Sequence, residues 1–114
     1  MSGCPFCGIV AGREPATILR VWPDAIAIRP LAPVTPGHTL VIPHQHVADA
    51  TTEPKVTALT ARRSAEIARP GWHYALNIGR EAGQTVFHLH GHLLRCLGGD
   101  RCMPWGCPTP KGAP

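Results

Sequence analysis

Apolar residues along the chain fall into short β-type runs separated by Pro and Gly, with one longer stretch of helical period. Thr17 to Trp22 and Ala25 to Arg29 flank Pro23-Asp24, which predicts a hairpin, and Thr39 to Ile42 predicts a third strand. A hydroxyl cap at Thr51 or Thr52 precedes Glu53 and Pro54. From there Val56, Leu59, Ile67 and nearby alanines keep an approximate helical period until Pro70-Gly71 ends it. Trp72 to Ile78 and Val86 to Leu94 predict two more strands, and Cys7 to Ala11 suits a short N-terminal turn of helix. Strands grouped around one substantial helix predict an α+β fold, with about five antiparallel strands, one main helix and a short N-terminal helix.

A chain of 114 residues suits a single domain, and 44% hydrophobic against 16% charged residues is the balance of a packed globule rather than a disordered chain. The Pro- and Gly-rich end (Pro108, Pro110, Gly112, Pro114) continues neither a helix nor a central strand. The expected division is therefore a domain over 1–103 and an extended arm over 104–114. A formal charge of +4 favours anionic ligands, but the only close basic pair is Arg62-Arg63 on the main helix, a solvated face. With no basic stripe interleaved with aromatics, nucleic acid is not the expected partner. No apolar run is long enough for a bilayer and no leader pattern precedes Cys4, so a soluble, cytoplasmic protein without membrane association is expected.

The densest chemical signal is Phe87-His88-Leu89-His90-Gly91-His92-Leu93-Leu94. In a strand, alternate side chains share a face, so three imidazoles would form one wall, suited to metal binding or to phosphoryl transfer. Gln84 and Thr85 follow Gly83, a placement that would let backbone N–H groups and a hydroxyl hold phosphate oxygens. Cys4 and Cys7 have the spacing of half a tetrahedral zinc site, which needs two further ligands from elsewhere. Cys96, Cys102 and Cys107 are unevenly spaced and read as free thiols.

A second histidine-bearing segment, Pro36-Gly37-His38-Thr39-Leu40-Val41-Ile42-Pro43-His44-Gln45-His46, completes a pattern. Together with Cys4-Pro5-Phe6-Cys7-Gly8, the stretch from Asn77 to Thr85 and the histidine run, in that order, the chain closely resembles the histidine triad family. The resemblance implies that His90 attacks the α-phosphorus of a nucleoside phosphoramidate, dinucleoside polyphosphate or nucleotidyl adduct, forming a nucleotidyl-histidine that water then hydrolyses. It implies that His92 supports the leaving group, that His38 orients the wall from the neighbouring strand, and that His88 is both a triad member and a metal ligand. Asn77 matches a position contacting ribose or phosphate, and Phe6, Ile9, Ile28 and Leu31 match an apolar slot for a purine base. The zinc of zinc-bearing members would take Cys4, Cys7, His46 and His88, with His44 an alternative to His46; four protein ligands make that zinc structural. Homodimers are usual, and Trp105 resembles a C-terminal tryptophan that reaches the partner subunit's site.

Two positions depart from the family pattern. Pro30 stands where many relatives carry an acid that grips the ribose hydroxyls, and Gly91 where an apolar side chain is preferred, which should weaken packing behind the triad. The region from His46 to Asn77 is also short, suggesting a trimmed helix. These departures keep two alternatives open beside the hydrolase: a non-catalytic nucleotide sensor, and a zinc-stabilised interaction module.

Overall fold

The structure is a computed structural model that describes residues 3–95. The expected arm at 104–114, its boundary with the domain, Cys96, Cys102, Cys107 and Trp105 lie outside the described residues. Five antiparallel strands form one sheet in the order β1-β2-β3-β5-β4. They are β1 (Ile18–Val21), β2 (Ala25–Ile28), β3 (Thr39–Pro43), β4 (Trp72–Ala75) and β5 (Gly91–Arg95). Helix α1 (Pro5–Val10) covers one face and α2 (Pro54–Ile67) the other. The expected α+β architecture is the one observed. None of the described helices is long and apolar enough to cross a membrane.

Strand alternation sorts the core. Ile26, Ile28, Leu40 and Ile42 point towards α1 and meet Phe6, whereas Ala25, Ala27, Val41 and Leu93 point towards α2 and meet Leu59 and Ile67. The α2 side is built from small groups: Ala25 and Ala27 are fully buried, and α2 answers with Val56, Thr60 and Ser64 at four-residue spacing. The two hydroxyls lose nothing by burial, because Thr60 Oγ1 donates to the Val56 carbonyl and Ser64 Oγ to the Thr60 carbonyl, each at 2.7 Å. At the helix rim Arg63 makes a bidentate pair with Asp24 (2.8 and 3.2 Å), and Trp22 Nε1 donates to Glu66 at 3.0 Å, tying α2 to the β1–β2 hairpin.

Three local expectations are corrected. Helix α2 is capped by Glu53, whose carboxylate accepts from the Lys55 amide at 3.2 Å; Thr51 and Thr52 are instead drawn into a turn by Asp49 Oδ1. Helix α1 begins at Pro5 rather than Cys7, because Cys4 is the cap, its Sγ accepting from the Cys7 amide at 3.2 Å. The last strand starts at Gly91, not Val86. Upstream of it, the Leu89 amide donates to the Val47 carbonyl at 2.8 Å, so this segment is bonded to the loop after β3 instead of running in the sheet ladder. Leu89 is then buried against Val47 and Val56.

The close approach of α2 to the two alanines makes those positions intolerant of volume. Ala27→Leu is expected to destabilise the domain by about 1–3 kcal/mol through overpacking, read as a lowered midpoint in urea with an unchanged slope.

Candidate functional site: a histidine wall and a metal cluster

Although β5 begins only at Gly91, the three triad imidazoles lie on one side of the segment as expected, with Phe6 against both His88 and His90, while Leu89 and Leu93 face α2. His88 turns into the interior, fully buried, while His90 and His92 stand side by side with ring centroids 5.0 Å apart. His38, at the entrance of β3, faces His92 because Leu40 and His92 are register partners on the adjacent strands.

His88, His90 and His38 are each held by a backbone group and His92 by His38, and these partners decide which nitrogen carries the proton. His88 Nε2 lies 2.8 Å from the Pro43 carbonyl and His90 Nδ1 lies 2.8 Å from the His88 carbonyl. A carbonyl can only accept, so each of these nitrogens is the N–H, leaving His88 Nδ1 and His90 Nε2 with free lone pairs. The wall's other half runs in the opposite sense. The Val34 amide donates to His38 Nδ1 at 3.0 Å, so His38 Nε2 bears the proton and donates to His92 Nδ1, 3.0 Å away. His92 Nε2 is therefore an N–H. The wall presents a lone pair on His90 next to a donor on His92, an assignment that follows from the hydrogen-bond network.

This pattern requires neutral rings, and the surroundings favour them. Burial holds His90 below the usual histidine range, opposed in part by its bond to the His88 carbonyl. Burial, then proximity to His90 and His38, pushes His92 down to about 4. Burial, then His90, also lowers His38.

The lone pair on His88 Nδ1 faces a second constellation. Cys4 Sγ, Cys7 Sγ, His46 Nδ1 and His88 Nδ1 all lie within 4.8 Å of one another. Their closer separations are 3.1 Å between the two nitrogens, 3.2 Å from Cys7 to His46, and 3.4 and 3.5 Å from His88 to Cys4 and Cys7. A tetrahedral zinc with its usual N and S bond lengths has ligand–ligand edges of roughly 3.3–3.8 Å, so the donors stand close to bonding positions. The donor set is that of a closed structural site, and the Cys7 amide already points at Cys4 Sγ. It is a Cys2His2 metal site fitted to zinc. His44 is not in the cluster; its backbone amide bonds to the Asp24 carbonyl.

A cleft of about 830 Å³ runs beside the wall, lined by Phe6, Ile9, Ile28, Leu31 and Pro30 among others, with Thr85 and Val86 along one edge. Phe6 links the two features: one end lines the cleft and its ring meets His90 edge-on at 4.9 Å. Thr85 is exposed at the cleft edge.

Gln84 does something other than expected. Its Oε1 accepts from the Gly79 amide at 2.9 Å, its Nε2 donates to the Ala48 and Val86 carbonyls at 2.8 and 3.0 Å, and its own amide bonds to the Gly79 carbonyl. With both amide groups committed, Gln84 braces the loop and has nothing left for a phosphate oxygen. Asn77 helps it, donating from Nδ2 to the Ala82 carbonyl at 2.7 Å. The expected weakness at Gly91 is also corrected, since the Tyr74 ring fills the space behind it. The Val34 amide and the Pro43 and His88 carbonyls, which set the tautomers, are backbone groups that residue types do not reveal.

A model of the HIT domain matches residues 11–96. The chain belongs to the histidine triad (HIT) family. Uncharacterised HIT-like proteins of Mycobacterium tuberculosis are 41% identical to it over 109 residues, covering 86% of this chain and 74% of theirs. Among solved structures, a zinc-bound histidine triad family protein from Mycobacterium smegmatis is similar at 37% identity and a TM-score of 0.82, with 90% of this chain and 81% of that one covered. A HIT family hydrolase from Legionella pneumophila follows at 28% identity and a TM-score of 0.79, with 88% and 98% covered. The chain thus has the fold of HIT hydrolases. The domain match begins after Cys4 and Cys7, so half of the metal cluster comes from the segment preceding the matched HIT domain.

The neutral wall has a consequence for stability. The unfolded chain protonates His92 near pH 6.5, its ordinary value, whereas the folded chain resists protonation down to about 4. Between these values the unfolded state binds more protons, so stability falls as pH drops through that window. Thermal melts are expected to lose more between pH 7 and pH 5 in the native chain than in His92→Asn.

Proposed function

We propose that this HIT protein is a nucleotidyl hydrolase that cleaves at the α-phosphorus of a purine nucleoside phosphoramidate or dinucleoside polyphosphate. The observation that carries this reading is the pairing of a lone pair at His90 Nε2 with an N–H at His92 Nε2, on neighbouring rings beside an apolar cleft. The purine lies in the cleft against Phe6, Ile9, Ile28 and Leu31, and the α-phosphate reaches the wall past Phe6. Thr85, at the cleft edge, offers a hydroxyl donor to a phosphate oxygen, and Asn77 Oδ1, not used by its bond to Ala82, can accept from a sugar hydroxyl.

His90 Nε2 attacks phosphorus, the bond to the leaving nitrogen or oxygen breaks, and that atom takes a proton through His92 Nε2. The anionic phosphate raises the proton affinity of His92 from about 4, so substrate binding itself arms the acid. The nucleotidyl-imidazolium on His90 keeps its Nδ1–H on the His88 carbonyl, which bears part of the positive charge. Water then attacks phosphorus and loses a proton as the P–N bond to His90 breaks; one proton is taken up and one returned. Zinc held by Cys4, Cys7, His46 and His88 supplies a structural clip, with no open position for a reacting group. The chain works as a cytoplasmic homodimer in this reading.

The decisive experiment is incubation with an adenosine phosphoramidate. Monophosphate release by the native chain, reduced at least 10³-fold in His90→Ala, supports the enzyme, since loss of a nucleophile leaves only positioning and charge stabilisation. Tight mononucleotide binding with no release would instead make it a sensor.

Pro30 on the cleft wall has no side-chain acceptor for a sugar hydroxyl. A site that does not hydrogen-bond a hydroxyl discriminates weakly against its loss. The 2′-deoxy substrate is expected to have a kcat/KM within about threefold of the ribose form, and Pro30→Asp to widen that gap to about tenfold or more.

A further inference from the structure

Gly91 separates the two histidines that present the lone pair and the donor, and it is buried. Glycine inside a strand weakens it unless another group comes close, and here one does. A Cβ built on Gly91 would overlap Tyr74 Cε1 and stand 2.7 Å from Oη and 2.8 Å from Cζ, well inside the roughly 3.5–4.0 Å at which carbon atoms pack. Tyr74 on β4 is the register partner of Leu93, so its ring reaches diagonally across β5 to cover Gly91. The far end of the ring is turned towards Ser64 of α2. The ring thus lies between Gly91 of β5 and α2.

Side chains alternate along β5, so a group pressing on Gly91 from the α2 face bears on the backbone that carries His90 and His92 towards the opposite face. Both imidazoles depend on that backbone for contacts with little tolerance: 2.8 Å from His90 to the His88 carbonyl and 3.0 Å from His92 to His38.

We propose that Tyr74 is a positioning residue for the His90–His92 pair, its ring standing in for the missing side chain at residue 91 and fixing the backbone from which both imidazoles project. The proposal rests on the hydrolase reading only for its kinetic consequence. Tyr74 does not touch substrate; it acts through Gly91. A misplacement on the order of 1 Å between reacting groups costs about 10²-fold in rate, so loss of the ring should appear in kcat rather than KM.

The test is a four-variant set assayed where each is folded by circular dichroism: Tyr74→Ala, Gly91→Val, the double variant Tyr74→Ala/Gly91→Val, and Tyr74→Phe. Tyr74→Ala is expected to lose about 10- to 100-fold in kcat with KM within about threefold of native. Gly91→Val alone, whose side chain meets the Tyr74 ring, should be at least as impaired. The double variant should recover to within about fivefold of native, because valine refills the vacated space, and Tyr74→Phe should recover most of the rate. A readout independent of turnover accompanies these: the rate at which diethyl pyrocarbonate labels His90, located by peptide mass spectrometry, should change at least threefold in each damaged single variant and return in the double. If the native chain releases no monophosphate, the hydrolase reading fails while the labelling pattern still judges the role of Tyr74. A folded Tyr74→Ala chain with native labelling of His90, or a double variant no closer to native labelling than its singles, overturns the proposal.

Discussion

A neutral imidazole offers one proton and one lone pair, and the whole site depends on which nitrogen receives which. At His88 and His90 the decision is made by main-chain carbonyls, at His38 by the Val34 amide, and at His92 by His38 in turn. These backbone groups belong to β3, to the loop before it and to the triad segment itself, so the protonation pattern is an output of the fold. Burial keeps the rings neutral and thereby makes the pattern meaningful; a protonated ring would be a donor at both nitrogens and the lone pair would vanish.

His88 joins the two halves of this arrangement. Its ring offers Nδ1 to the metal cluster only because Nε2–H is committed to the Pro43 carbonyl, and its own carbonyl sets the tautomer of His90. The cluster draws the N-terminal segment onto the sheet, and that segment carries Phe6, which floors the cleft and meets His90. On the opposite face the small side chains Ala25 and Ala27 admit α2 closely, and Tyr74 closes the space left by Gly91. Metal cluster, cleft and wall are thus three consequences of how α1, β3 and the triad segment meet.

Much of the fold could be read from the chain. The five strands and the main helix follow from short β-branched runs between Pro and Gly and from one stretch of helical period, and the structure departs from that reading mainly at element ends. Those ends failed for identifiable reasons: Asp49 outcompetes the expected threonine cap, Cys4 caps α1, and the Leu89 amide turns to Val47. Cys4, Cys7, His46 and His88 could be grouped through the family resemblance, and their convergence is what the structure adds. The role of Gln84 was hidden because a glutamine after a glycine looks alike whether it faces a ligand or its own loop. Tyr74 was hidden because it lies 17 positions from Gly91 and only strand register brings them together. The absence of a side chain at residue 91 was the one available hint.

The claim that backbone groups dictate the protonation of this wall can be measured directly by long-range 15N–1H correlation of the imidazoles in the metal-loaded protein at pH 7. His90 should show a proton on Nδ1 and a lone pair on Nε2, and His38 and His92 should each show a proton on Nε2. A His90 ring protonated on Nε2, or on both nitrogens, would contradict it.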